Sequence, residues 1–151
     1  TVHAIIGGAV SSVTVDMSNT YLEWTQRNFT LNGIHGNHQL IRADCMEWLA
    51  GQAKAKPRAQ FDLIFLDPPT FSNSKRMNEA FDIQKDHVPL IRNAAALLAP
   101  GGILYFSTNF RRFKMDQAAL AGLAVEDVSA KLIPEDFARD ARIHSVWKIT
   151  R

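Results

Sequence analysis

The sequence predicts an α/β fold, a mostly parallel sheet covered by helices on both faces. Three observations carry the prediction. Short apolar runs alternate with longer segments of helical periodicity, the pattern of strand–helix–strand units. Three of the runs end in an acid, at Asp16, Asp44 and Asp67. The run FDLIFL, Phe61 to Leu66, is almost wholly apolar, as expected of a strand buried in the middle of a parallel sheet, and the turn DPPTFSNSKRM follows it directly. Open α/β sheets bind ligands at the carboxyl edge of their strands, so this placement delivers Asp67 to a candidate site.

With 151 residues the chain is long enough for one domain with a core, and residues 1–151 read as one domain. A net charge of +2 excludes a strong overall attraction to a polyanion, so any nucleic-acid contact must rest on local basic clusters. A single cysteine, Cys45, allows no internal disulfide and suggests a reducing, cytoplasmic setting. No apolar run approaches the roughly 18 residues that span a bilayer, and there is no secretory signal pattern, so no membrane association is expected. The five histidines show no ligand spacing, and no metal is expected. The opening Thr1-Val2-His3-Ala4 lacks a starting Met and is apolar, as expected of a piece of a longer protein.

In chain order, Val2 to Ala9 reads as the tail of a helix closed by Gly7 and Gly8. Ser12 to Met17 alternates Val13 and Val15 and reads as a strand ending at Asp16. Ser18 or Asn19 caps the next helix, whose stripe of Tyr21, Leu22, Trp24, Phe29 and Leu31 stops at Asn32-Gly33. His38 to Asp44 is a second strand, Met46 to Leu49 begin a short helix, and residues 51–60 form a polar loop. After FDLIFLDPP, Glu79 to Leu98 is helical in pattern, with Asp86 capping a fresh start so that Pro89 falls in a first turn. Pro100-Gly101-Gly102 ends that helix and Ile103 to Ser107 is a strand. Asn109 to Lys114 is a basic, aromatic loop, and Asp116 caps a short helix to Leu120. Val125 to Ile133 and Ser145 to Thr150 are the last two strands.

An acid that closes a strand in such a sheet takes the hydroxyls of a ribose, a role that suits Asp16, or accepts from a base amine, which suits Asp44. The structural alternative is that both simply cap helices, a task Ser, Thr or Asn would perform equally well. Asp67-Pro68-Pro69 has a distinctive chemistry: neither proline has an N–H, so the turn offers carbonyls and a carboxylate alone. It suits a planar base that donates hydrogen bonds, or a site that develops positive charge. Phe71 can stack on a base, worth about 1–3 kcal/mol. Lys75 and Arg76, beside Thr70 and Asn73, can hold phosphates. Asn109, Phe110, Arg111 and Arg112 repeat this mixture after the next strand, on the same sheet edge. Cys45, beside Asp44, reads as a small packing residue.

The run DPPTFSNSKRM followed by AFDIQKDH resembles the K-type half of the bifunctional bacterial 23S rRNA guanine methyltransferases, the K/L fusion proteins. VDMSNTYLEWTQRN, Ala43-Asp44-Cys45 and DFARDARIHSVW carry the same resemblance, which extends over essentially the whole chain. It implies a Rossmann-like class I methyltransferase sheet with an antiparallel C-terminal strand, using S-adenosyl-L-methionine to methylate guanine N7. By the resemblance, Asp16 binds the ribose and Met17 flanks the adenine. Asp44 meets the adenine amino group with Cys45 beside it, and Asp67 to Thr70 wall the target-base pocket next to the transferable methyl. The partner half of such fusions is similar to an N2-guanine methyltransferase with an RNA-binding THUMP domain. The family's first strand and Gly-rich loop are expected immediately before Thr1 and are missing from this chain. That leaves two half-sheets with open edges, an invitation to self-association, so this piece alone is expected to be inactive.

Guanine N7 carries an in-plane lone pair, so no general base is needed, and positioning supplies most of the catalysis. Asp67 and the turn carbonyls would stabilise the positive charge of the product. Transfer to an exocyclic amine, guanine N2 or adenine N6, is a rival reading, and a non-catalytic RNA-binding module is another. Cytosine C5 methylation needs a cysteine nucleophile, and neither loop contains one.

Overall fold

The computed structural model describes residues 1–72, 80–133, 135–137, 139–140 and 143–151. The chain divides into two compact units, Thr1–Trp48 and Leu49–Arg151.

In the first unit α1 (Val2–Ile6) ends at Gly7, whose N–H bonds the carbonyl of His3 at 2.9 Å. β1 (Ser11–Asp16) and β2 (Asn37–Arg42) pair in parallel, Asp16 opposite Arg42. The crossover between them is α2 (Asn19–Leu31). Ser18 caps it by accepting from the Tyr21 N–H, and Gly33, at φ +64°, takes the left-handed conformation that stops it. Leu22 and Phe29 are its buried residues, and Phe29 meets the His38 ring edge-on at 5.9 Å. α3 (Cys45–Lys54) begins after Asp44. It runs further than the sequence reading allowed, into residues assigned there to a loop, because Gln52, Ala53 and Lys54 are good helix formers.

The second unit contains, in order, β3 (Phe61–Leu66), β4 (Phe71–Ser72), β5 (Phe81–Asp82), α4 (Ile83–Ala95), β6 (Leu98–Thr108), β7 (Ala124–Asp127), α5 (Ser129–Leu132) and β8 (Ser145–Thr150). The main sheet has the order β3-β6-β8-β7, with β3 parallel to β6 and β8 antiparallel to both neighbours. β4 and β5 form a small antiparallel ribbon. The core lies where α4 packs on β6: Ile83, Ile91, Leu97, Leu98, Leu104 and Phe106 are fully buried, as is Ile149 of β8. Phe106, Phe113 and Trp147 close an aromatic cluster with centroids 5.2–5.9 Å apart.

Several sequence expectations need correction. β3 is not a buried middle strand within its sheet: among the described residues it pairs with β6 alone, and Leu63 and Phe65 are 53% and 66% exposed. The helix expected from Glu79 starts at Ile83, because Phe81 and Asp82 pair with Ser72 and Phe71. Asp82, not Asp86, is its cap, accepting from the Gln84 N–H at 2.9 Å, while Asp86 reaches back to the Asp82 N–H at 2.7 Å. Pro89 therefore lies inside the helix, on an exposed face where its missing donor is tolerated. The helix ends at Ala95, and Leu98 is already strand, opposite Phe61. The register then jumps to Leu63 opposite Ile103, and Pro100-Gly101-Gly102 takes up the excess. Residues 117–121 form turns rather than a helix, with Asp116 accepting from the Ala119 N–H. Residues 129–132 are helical rather than strand, because the Ser129 hydroxyl bonds Asp127 and accepts from the Val146 N–H, turning the chain away from β7.

Candidate active site

The acids of the first unit stand at the carboxyl ends of its two parallel strands. Asp16 closes β1, and its Oδ1 accepts from the Ser18 N–H at 2.7 Å. Asp44 follows β2, and its Oδ1 accepts from the N–H groups of Met46 and Glu47 at 2.8 and 3.3 Å. The capping role weighed from the sequence is real for Asp44, whereas Asp16 only braces the Ser18 that caps α2. Each of these tasks occupies one oxygen of the carboxylate, and the second oxygen of each has no hydrogen bond among the described residues. Two such acceptors fit a nucleoside, which offers ribose hydroxyls and a base amine. Half-buried Met17 follows Asp16 directly. Cys45 donates from Sγ to the Val15 carbonyl at 3.4 Å. Burial first, then the charges of Asp16 and Asp44, push its thiol from 9.0 up to about 11. A thiol held protonated in this way serves packing, not nucleophilic attack.

In the second unit, strand register sets the site. β3 and β6 pair Phe65 with Tyr105 and Leu66 with Phe106. Asp67 and Ser107 are the residues that follow this last pair on the two strands. Pro68 and Pro69 cannot donate to a ladder, so backbone pairing stops there, and side chains take over. The Ser107 hydroxyl donates to Asp67 Oδ1 at 2.6 Å. The Thr70 hydroxyl donates to Asn109 Oδ1 at 3.2 Å, and the Thr70 carbonyl accepts from the Ile83 N–H at 3.1 Å. Phe71 lies in β4, 59% exposed. The structure therefore brings Asp67, Thr70 and Asn109 together at one strand edge.

The basic, aromatic loop after β6 is less open than its sequence implied. Phe113 is taken by the aromatic cluster with Phe106 and Trp147. Lys114 is held by its backbone: its carbonyl accepts from Gln84 Nε2 and its N–H donates to Gln84 Oε1, both at 2.9 Å. The Phe110 N–H donates to the Thr108 hydroxyl. Arg111 pairs with Asp140 at 2.8 Å, an exposed contact worth at most about 1 kcal/mol that a phosphate can replace. Arg112 is exposed. Asn73, Lys75 and Arg76 lie outside the described residues. Sequence reasoning missed Ser107, Gln84 and His87. The signal for Ser107 was register, since FLD and FST are the ends of neighbouring parallel strands.

The comparisons agree with this architecture. A family model described as S-adenosylmethionine-dependent methyltransferase matches residues 1–133. The chain is 56% identical over 150 residues to the "Ribosomal RNA large subunit methyltransferase K/L" of Methylococcus capsulatus, and 57% identical over 150 residues to the protein of that name from Allochromatium vinosum. Each match covers 99% of this chain and 20% of the relative, so the chain spans about a fifth of the length of these curated relatives. Among solved structures, a methyltransferase complexed with SAH matches with a TM-score of 0.83 at 25% identity, over 99% of this chain and 41% of that one. With the α/β sheet, the strand-end acids and a family match over most of its length, the chain belongs to the S-adenosylmethionine-dependent methyltransferases.

Proposed function

We propose that residues 1–151 form part of the K-type half of a larger enzyme that methylates guanine N7 in 23S rRNA. The other half of that enzyme would be the N2-guanine methyltransferase with its THUMP domain. The observation that carries the reading is the turn Asp67-Pro68-Pro69, where a carboxylate and carbonyls face outward without a proline N–H, tied by Ser107 at Asp67 and by Asn109 at the following Thr70, with Phe71 exposed next to it. The names of the relatives, and their fivefold greater length, support the rRNA substrate and the larger parent. No described helix is long and apolar enough to cross a membrane, and a cytoplasmic setting suits an rRNA substrate.

Asp16 and Asp44 would hold the nucleoside of S-adenosyl-L-methionine through their second carboxylate oxygens, with Met17 and Cys45 beside them. That cofactor, when bound, supplies an activated methyl on a sulfonium. Asp67, Pro68 and Pro69 would orient the base and hold negative charge and carbonyl dipoles where guanine becomes cationic. No residue has to remove a proton, because N7 is a lone-pair nucleophile. Phe71 and Phe110 would stack on bases. Thr70, Asn73, Lys75, Arg76, Asn109, Arg111 and Arg112 would line the RNA path.

Transfer to an exocyclic amine is the second reading, because the same carboxylate and carbonyls would accept amine hydrogens. Incubation of the full protein with unmodified 23S rRNA and labelled cofactor, followed by nucleoside mapping, tests both. The expected product, lost on Asp67→Asn, is 7-methylguanosine. An N2-methylguanosine or N6-methyladenosine product that is lost on Asp67→Asn would overturn the N7 assignment. Product formation wholly unaffected by Asp67→Asn would leave the chain an RNA-binding module.

A further inference from the structure

We propose that Ser107 is a positioning residue for Asp67, fixing one carboxylate oxygen so that the other is presented to the target base. The inference deepens the reading of Asp67 as a base-pocket residue and rests on it. Ser107 is only 7% exposed and belongs to β6, a strand paired on both sides, with Val146 of β8 directly opposite. It is therefore a point buried in the sheet and paired to β8 from which the turn can be held. Its bond to Asp67, at 2.6 Å, falls in the range of about 2.5–2.7 Å for a hydroxyl on a carboxylate. Among the described residues it is Asp67's only hydrogen-bond partner, and Asp67 is otherwise exposed.

The arrangement answers a specific difficulty. The two prolines give the turn no N–H to donate to β6, so the side-chain ties are what hold Asp67 against that strand. Ser107 fixes the turn at Asp67. Asn109 and the Ile83 N–H fix it again at Thr70. Between these anchors, Pro68 and Pro69 can only bridge. A reacting group held in this way keeps its geometry without rearranging during the reaction.

The test uses the full protein with unmodified 23S rRNA and scores whichever methylated nucleoside depends on Asp67. Ser107→Ala is expected to lower the single-turnover rate about 10- to 100-fold, with rRNA and cofactor affinities within about twofold of the parent. Ser107→Thr, which keeps the hydroxyl, should restore most of the rate. Once Asp67→Asn is present, Ser107→Ala should add little, because the two act as a unit. Amide exchange gives a readout that needs no activity: Thr70 and Phe71 should exchange faster in Ser107→Ala, while Val146 and Ile149 keep parental rates. A parental rate with parental Thr70 exchange in Ser107→Ala would overturn the proposal. So would additive losses with Asp67→Asn, or exchange that rises throughout β8. Product identity bears only on the N7 assignment, so the two ideas fail separately.

Discussion

The carbonyl oxygen of Phe61 occupies the space that a side chain at position 102 would need. A Cβ on Gly102 would stand 2.8 Å from that oxygen and 3.0 Å from the carbonyl oxygen of Ala99. Both obstacles are backbone, in the stretch where β6 absorbs its extra residues against β3. Gly102→Ala is therefore expected to cost about 1–3 kcal/mol, read as a lower midpoint with unchanged slope in urea titration. Gly101→Ala meets open space but requires φ near +78°, a strain of about 1–2 kcal/mol. Parental midpoints for both variants would remove this account of the β3–β6 junction.

His87 holds the loop after β6 to the first turns of α4. Its buried ring places Nδ1 against the carbonyls of Ile83 and Gln84, at 3.1 and 3.0 Å, while Nε2 accepts from the Asp116 N–H at 3.1 Å. These partners require a neutral ring with its proton on Nδ1. Phe113 packs edge-on against it, with centroids 4.9 Å apart. His87→Leu strands the Asp116 N–H and should destabilise the protein by about 1–3 kcal/mol, with faster exchange of the Lys114 and Asp116 amides. Unaltered exchange at Asp116 would show that the loop is held by other means.

Much of this was legible because it is local. Ser18 before a helical stripe, Asn32-Gly33 after it, and acids at three strand ends are patterns that neighbouring residues enforce on one another. The parts that were misread depend on distant partners. FDLIFL is as apolar at the edge of a sheet as it would be in the middle, so its own residues could not show that β3 pairs, among the described residues, with β6 alone. Leu98 reads as helix until Phe61 pairs with it. Asp82 reads as mid-helix until Phe71 pairs with it across the small ribbon. Ser107 carries no motif at all, and only register against Asp67 gives it a role.

Cys45 should be an unreactive thiol. Burial and the charges of Asp16 and Asp44 raise it from 9.0 to about 11. At pH 8 its thiolate is then about 100-fold scarcer than that of an unperturbed cysteine, and iodoacetamide should alkylate it well below the rate of a free cysteine. Because the folded value lies above the unfolded one, this thiol costs no stability below pH 9.0, and stability falls as pH climbs from 9.0 towards about 11. Asp16→Asn should bring the midpoint of the alkylation profile down. A profile centred near pH 9 in the parent protein would contradict the shift.

The unpaired side of β3 among the described residues bears on how the 151-residue chain behaves when made by itself. Leu63 and Phe65 are exposed on one face of that strand, whose only described neighbour is β6. An open apolar edge is a template for pairing with another chain. Sedimentation velocity on this chain alone should show association that grows with concentration, and Phe65→Lys should reduce it. A monomer at every concentration would refute the expectation.

Asp67→Asn separates charge from shape at the candidate base pocket. The amide is nearly isosteric, and its oxygen can still accept from Ser107, so the tie to β6 is kept. What it loses is the negative charge beside a base that turns cationic as N7 is alkylated. Ground-state binding of neutral guanine gains little from that charge, whereas the transition state gains much. The single-turnover rate should therefore fall by about 100-fold or more, a magnitude typical of one preorganised electrostatic contact. Cofactor affinity should stay within about twofold, since Asp16 and Asp44 are untouched. A carboxylate that only accepted hydrogen bonds from the base would give a different result: the amide's nitrogen would clash with the donor it faces, and KM for rRNA would rise with little loss of kcat. The split between kcat and KM, measured on the full protein, distinguishes charge stabilisation from simple recognition.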